Sequence, residues 1–145
     1  MCGALPKVAL TSYKALLWFL HADAWTGSET IVILGGSGGT GSAGIQLAKR
    51  LGAGTIMTTT STANMQYCRD LGADTVIDYT TTNWAEVVED GSVDAVYDTV
   101  GQAGTGRTAL KKLKSTGYYV TIAGGGVFRR VDIPQTSRGD ATAAT

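Results

Sequence analysis

The residues best suited to chemistry in this 145-residue sequence carry no reactive side chain. They are the glycines of "VILGGSGGTGSAGIQLAKRLGA", where Gly36, Gly38 and Gly41 stand in GxGxxG spacing. An apolar, β-branched run, Thr30 to Leu34, precedes them, and a helical pattern follows. In that setting the first glycine permits a tight turn, the second lets backbone approach a pyrophosphate, and the third lets the helix pack on the strand. Amide groups at the helix start then face the phosphates with the positive end of the helix dipole. Ser37, Gly39 and Thr40 lie between those glycines. The bland alternative is a glycine turn with no ligand. An ATP-type phosphate loop needs lysine after its last glycine, and Ser42 occupies that position.

A dinucleotide site usually has Asp or Glu at the end of the second strand to accept hydrogen bonds from the adenosine ribose. That stretch here is Thr58 to Asn64, "TTTSTAN", with no carboxylate to repel a 2′-phosphate and several hydroxyls to donate to one. NADP(H) is therefore favoured over NAD(H), although threonine also suits a strand end by β propensity alone. The same stretch argues against a methyltransferase, whose cofactor ribose calls for an acid. No tyrosine has a lysine four positions on, which removes the proton-transfer pair of a short-chain dehydrogenase.

The elements that must hold this loop alternate regularly. Strands are expected at 30–34, 55–60, 75–79, 93–101 and 118–126, with helices at 63–73, 83–90 and 106–117 and one after the glycine loop ending at Gly52. Such βαβ alternation implies an α/β, doubly wound parallel sheet, Rossmann-like, of about five strands in order 3-2-1-4-5. A lead-in helix occupies 1–28, the dinucleotide-binding domain 29–126, and a polar tail or incomplete sixth unit 127–145.

Twelve Lys and Arg balance twelve Asp and Glu, which excludes the cationic field of a nucleic-acid binder. Two cysteines, Cys2 and Cys68, with no Cys/His cluster exclude a disulfide framework and a zinc site and point to an intracellular, reducing compartment. No apolar run is long enough for a membrane span. His21 reads as a helix-terminus residue, Trp18, Phe19 and Trp25 as packing residues, and Lys111, Lys112 and Lys114 as a solvated helix face.

Several stretches together carry a resemblance. "ALPKVALTSYKAL", the glycine loop with its helix, "LGADTVIDY" and "VYDTVG" cover most of residues 4–125. In that order they resemble the nucleotide-binding domain of the medium-chain dehydrogenase/reductase superfamily, in its zinc-free quinone oxidoreductase (zeta-crystallin-like) branch. The resemblance implies that Thr11 approaches the nicotinamide end, that Ser37, Gly38, Gly39 and Thr40 form the diphosphate loop, and that Thr59, Thr60 and Ser61 flank the adenosine ribose or its 2′-phosphate. Relatives often carry a lysine where this sequence has Asn64. Tyr79 would lie near the adenosine, and Thr99, Val100 and Gly101 with Ala123, Gly124 and Gly125 beside the nicotinamide.

The activity so implied is hydride transfer from NADPH to a quinone or enone, without metal. Family members also carry a substrate-binding catalytic domain that is not recognisable in this sequence. A non-catalytic accessory subunit, docking its uncovered face on another chain, is the competing expectation.

Overall fold

The computed structural model describes residues 25–101, 104–121 and 126–129. The expected lead-in helix, with Thr11, Trp18, Phe19 and His21, and the Ala123–Gly125 stretch lie outside the described residues.

Strand β1 (Thr30–Leu34) is apolar along its whole length because both its faces are covered, and Ile31, Val32 and Ile33 have no exposed surface. Helix α1 (Gly39–Leu51) follows the glycine turn and ends at Gly52, whose left-handed backbone (φ 95°) lets its amide donate to the carbonyls of Ala48 and Lys49. β2 (Thr55–Thr60), a short 3-10 turn (Thr62–Asn64), α2 (Met65–Leu71), β3 (Thr75–Asp78) and α3 (Trp84–Val87) come next. β4 (Val93–Asp98), α4 (Thr105–Lys112), β5 (Leu113–Thr121) and β6 (Gly126–Arg129) complete the described chain.

The strands form one sheet in the order β3-β2-β1-β4-β5-β6. The first five are mutually parallel, with Leu34 level with Thr59 on one side and Asp98 on the other, and Thr60 level with Asp78. This is the doubly wound, Rossmann-like 3-2-1-4-5 order that the alternation predicts. A sixth strand is added: β6 turns back antiparallel to β5 within the stretch where sequence periodicity fades.

Alternate residues of the strands build two cores. Ile31, Ile33, Ile56 and Tyr97 face Ile45 and Ala48 of α1 and Cys68 of α2, with Trp25 packed against them. Val32, Leu34, Val96 and Tyr119 face Ala109 of α4 and Val88 beyond α3. Each fully buried Ile or Val contributes about 1.5–3 kcal/mol of transfer free energy. α1 lies close to the sheet because Gly44 stands over Tyr97, and a Cβ there would come within 2.9 Å of the ring.

Several elements depart from their expected limits, among them β5, which runs from Leu113 to Thr121 rather than over 118–126, and the third helix, which ends at Val87 rather than 90. The fourth helix stops at Lys112 rather than running to 117, since Leu113 is fully buried and pairs with Val93 as the first residue of β5. Gly117 then lets β5 pass the Leu113 side chain and the Asp94 carbonyl, which a Cβ would approach to 2.9 and 3.0 Å. Lys112 is correspondingly not on a solvated face. It is buried, and its ammonium donates to Asp90 Oδ1 at 2.6 Å. β4 ends at Asp98 rather than 101, because the Asp98 carboxylate accepts the amide hydrogens of Val100 and Gly101 and turns the chain.

Candidate functional site

The glycine turn sits at the carboxyl end of β1, where the crossovers diverge to β2 on one side and β4 on the other, the position at which open parallel sheets form a crevice. Its sharp bend falls at Gly35 (φ 85°), one residue before the first glycine of the motif spacing. A Cβ on Gly35 would come within 2.6 Å of Thr99 Oγ1 and 2.8 Å of Val100 Cγ2. Gly36 is required by packing instead, since a Cβ there would overlap Thr58 Oγ1 and come within 2.9 Å of Ile45 Cδ1. At Gly41 a Cβ would overlap the Gly35 carbonyl, so this glycine brings the first turn of α1 onto the bend. Gly38 is different: a Cβ there meets only the Gly35 oxygen, at an ordinary 3.5 Å.

Gly38 is also the N-cap of α1, with no side-chain cap and no acid in the first turn. The first turn of the helix therefore carries no neutralising carboxylate of its own. With its second glycine open on the ligand side and its third closed on the protein side, the cradle fits a diphosphate.

The threonines closing β2 hold the turn in place. Thr58 Oγ1 donates to the Ile33 carbonyl at 2.6 Å, Thr59 Oγ1 accepts from the Gly35 amide at 3.1 Å, and the Thr59 carbonyl accepts from the Gly36 amide at 2.9 Å. Thr60 is buried, and its hydroxyl finds no oxygen or nitrogen partner among the described residues. It lies beside the Cys68 thiol, whose pKa is raised by burial and partly restored by the Thr60 hydroxyl. Ser61 Oγ accepts from Asn64 Nδ2 at 3.1 Å. The carboxylate nearest this end belongs to β3: Asp78 accepts from the hydroxyl of Thr62 and from both the hydroxyl and the amide of Thr80. The Thr62 and Thr80 hydroxyls hold its pKa below the ordinary value.

On the other side of β1, Thr99 Oγ1 donates to the Leu34 carbonyl at 2.6 Å and locks the end of β4 to the glycine turn. A cleft of about 930 Å³ opens between these two sides. That volume is of the size that cofactor sites usually have.

Of the residues singled out in the sequence, Ser37, Gly38, Thr59, Thr60, Tyr79, Thr99 and Val100 line this cleft. Gly36, Gly39, Thr40, Gly41, Ser61 and Gly101 do not line it, and Thr11, Ala123, Gly124 and Gly125 lie outside the described residues. The cleft wall also includes Gly35, the Thr80–Trp84 segment, and Gly104, Thr105 and Thr108 at the start of α4. Gly35 was signalled by the paired glycines directly after a strand. Thr80 to Trp84 carried no motif and are brought in by the placement of β3. Among the described residues no group of three or more His, Cys, Asp or Glu is placed to hold a metal ion. No helix among them is long and apolar enough to cross a membrane.

The sequence profile of the zinc-binding dehydrogenase family matches residues 39–138. Among solved structures, the quinone oxidoreductase from Coxiella burnetii is 35% identical, with a TM-score of 0.69 over 79% of this chain and 34% of that one. A 2-haloacrylate reductase is 29% identical, with a TM-score of 0.68 over 79% of this chain and 35% of that one. An alcohol dehydrogenase superfamily protein from Novosphingobium aromaticivorans is 29% identical, with a TM-score of 0.63 over 84% of this chain and 36% of that one. No match is found among curated proteins. The chain thus spans about a third of the length of these structures. It belongs to the zinc-binding dehydrogenase family, within the medium-chain dehydrogenase/reductase superfamily.

Proposed function

We propose that this chain binds NADP(H) and serves as the nucleotide-binding part of a reductase that passes hydride to a quinone or an enone. The observation that carries the reading is the cradle at Gly35 to Gly41, closed by packing at Gly35, Gly36 and Gly41, open at Gly38, and set in the cleft that runs from the ends of β2 and β3 to the end of β4. The amides at the start of α1 would hold the diphosphate, with Ser37 beside them. Tyr79 and the Thr80–Thr82 segment would take the adenosine side, and Thr99 and Val100 the nicotinamide side. When bound, the nicotinamide supplies the hydride. The chain's own contribution is to orient that ring and to keep water from one of its faces, because hydride transfer needs donor and acceptor held a few ångströms apart.

Two things support NADP(H) over NAD(H). No carboxylate ends β2, and the nearest one, Asp78, already has its oxygens engaged by Thr62 and Thr80. Support for a quinone or enone acceptor comes from likeness to the Coxiella burnetii quinone oxidoreductase and the 2-haloacrylate reductase.

Titrating NADPH and NADH against the tryptophan fluorescence of the chain tests the reading. Saturable binding with NADPH tighter is expected, and no response to either nucleotide overturns it. Binding without turnover of a panel of quinones and enones would instead fit an accessory subunit that retains the fold and docks on another chain.

A further inference from the structure

Asp98, at the end of β4, has no exposed surface, yet its carboxylate lies on the core face shared with Val96 and Tyr119. A buried carboxylate is costly unless its oxygens are satisfied. Here Oδ1 accepts from the amides of Val100 and Gly101, both at 2.9 Å, and Oδ2 accepts from the Tyr119 hydroxyl at 2.8 Å. Tyr119 is itself buried on β5, and its hydroxyl has a second partner in the side chain of Thr121. The turn so gripped packs directly on the bend of the glycine loop, since Thr99 Oγ1 and Val100 Cγ2 occupy the space beside Gly35 where a side chain would otherwise stand. An unbroken line of contacts therefore runs from β5 through Tyr119 and Asp98 to the Thr99–Gly101 turn and on to Gly35.

We propose that Tyr119 and Asp98 are positioning residues that fix the Thr99–Gly101 turn against Gly35 and so set the nicotinamide end of the cleft. The inference rests on the dinucleotide reading above and deepens it by naming what holds that end open. Neither residue lines the cleft, so neither touches the nucleotide. Their effect is carried by two amide hydrogens and by the placement of Thr99 and Val100. The adenosine end, built on β2 and β3, does not depend on them.

The test uses the full chain as wild type and as Tyr119→Phe, Asp98→Ala and Asp98→Asn. Binding of NADPH is compared with that of adenosine 2′,5′-bisphosphate, and binding of NADH with that of ADP. Amide hydrogen exchange at Val100 and Gly101 is followed against Gly36 and Ser42. Tyr119→Phe and Asp98→Ala are expected to weaken the whole dinucleotide by about tenfold while leaving the adenosine fragment within about twofold, the scale of one hydrogen bond to a charged group. Asp98→Ala speeds exchange at Val100 and Gly101 by about tenfold or more on the same scale. Asp98→Asn retains an oxygen for both amides and restores most of the loss.

Equal weakening of dinucleotide and fragment, or no change in any variant, overturns the proposal. Should Asp98→Ala fail to fold, Tyr119→Phe, which keeps the ring, and Asp98→Asn decide it. If wild type binds neither nucleotide, the dinucleotide reading falls and so does the role at the cleft. Exchange at Val100 and Gly101 then decides the positioning alone, and unchanged rates there overturn that as well.

Discussion

The hydroxyl of Thr59 accepts the amide hydrogen of Gly35 at 3.1 Å, tying the last turn of β2 to the bend that follows β1. The next amide, Gly36, donates to the carbonyl of the same threonine at 2.9 Å. One residue of β2 therefore determines where the glycine loop begins. Thr59→Val keeps the shape and strand preference of the side chain but leaves the Gly35 amide without its acceptor. A loss of about 1–2 kcal/mol in stability is expected. Urea unfolding at neutral pH checks it, and an unchanged midpoint would show that the loop does not depend on this bond.

Gly38 and Gly41 lie three residues apart and answer to different constraints. Alanine at Gly41 drives a methyl group into the Gly35 carbonyl, with an expected cost of about 3 kcal/mol from overpacking. Alanine at Gly38 meets nothing closer than 3.5 Å and should leave the thermal midpoint near that of wild type. If the cradle holds a diphosphate, that same methyl group abolishes nucleotide binding. Calorimetry on both variants, with NADPH titrated into Gly38→Ala, separates the two roles.

Tyr119 gives stability an alkaline limb. Burial, then the charge of Asp98 and the hydrogen bond to it, raise the phenol pKa well above its ordinary value. A raised folded pKa contributes stability that is fully present below the unfolded value, about 10, and is lost as pH climbs toward the folded one. From about pH 10 upward, wild type is expected to lose up to about 1.4 kcal/mol per pH unit relative to Tyr119→Phe. Parallel curves for the two proteins between pH 9 and 11 would remove this limb.

At the acid end the pair to watch is Asp90 with Lys112. The Lys112 ammonium, by hydrogen bond and by charge, holds the Asp90 pKa below its ordinary value. A depressed pKa contributes stability above the unfolded value, about 3.9, and that contribution disappears as pH falls through the lower folded value. Lys112→Met keeps the buried stem and removes the charge. Its thermal midpoint should fall less steeply than that of wild type between pH 5 and 3, and identical slopes would exclude the pair as a source of acid sensitivity.

Much of this architecture was legible because the residues involved answer to local rules. The run Thr30 to Leu34, the glycines after it and Gly52 at the end of α1 specify strand, turn and cap from their own types, and the βα alternation then leaves little choice of strand order. The end of α4 was not legible, since Leu113 suits either a helix face or a strand and only its pairing with Val93 decides between them. Lys112 looked like a surface lysine for the same reason. At the site, spacing located the loop but not its bend, because Gly35 and Gly36 are identical in type and differ only in what surrounds them. The hydroxyls of Thr58 and Thr59 looked free to meet a ligand, and the fold turns them to the loop instead.

Among the described residues that line the cleft, none is Asp, Glu, Lys, Arg or His. A polyanion lodged against these walls would be met there by fixed peptide dipoles rather than by mobile ammonium or guanidinium groups. The described walls thus offer it no ion pair that added salt could screen.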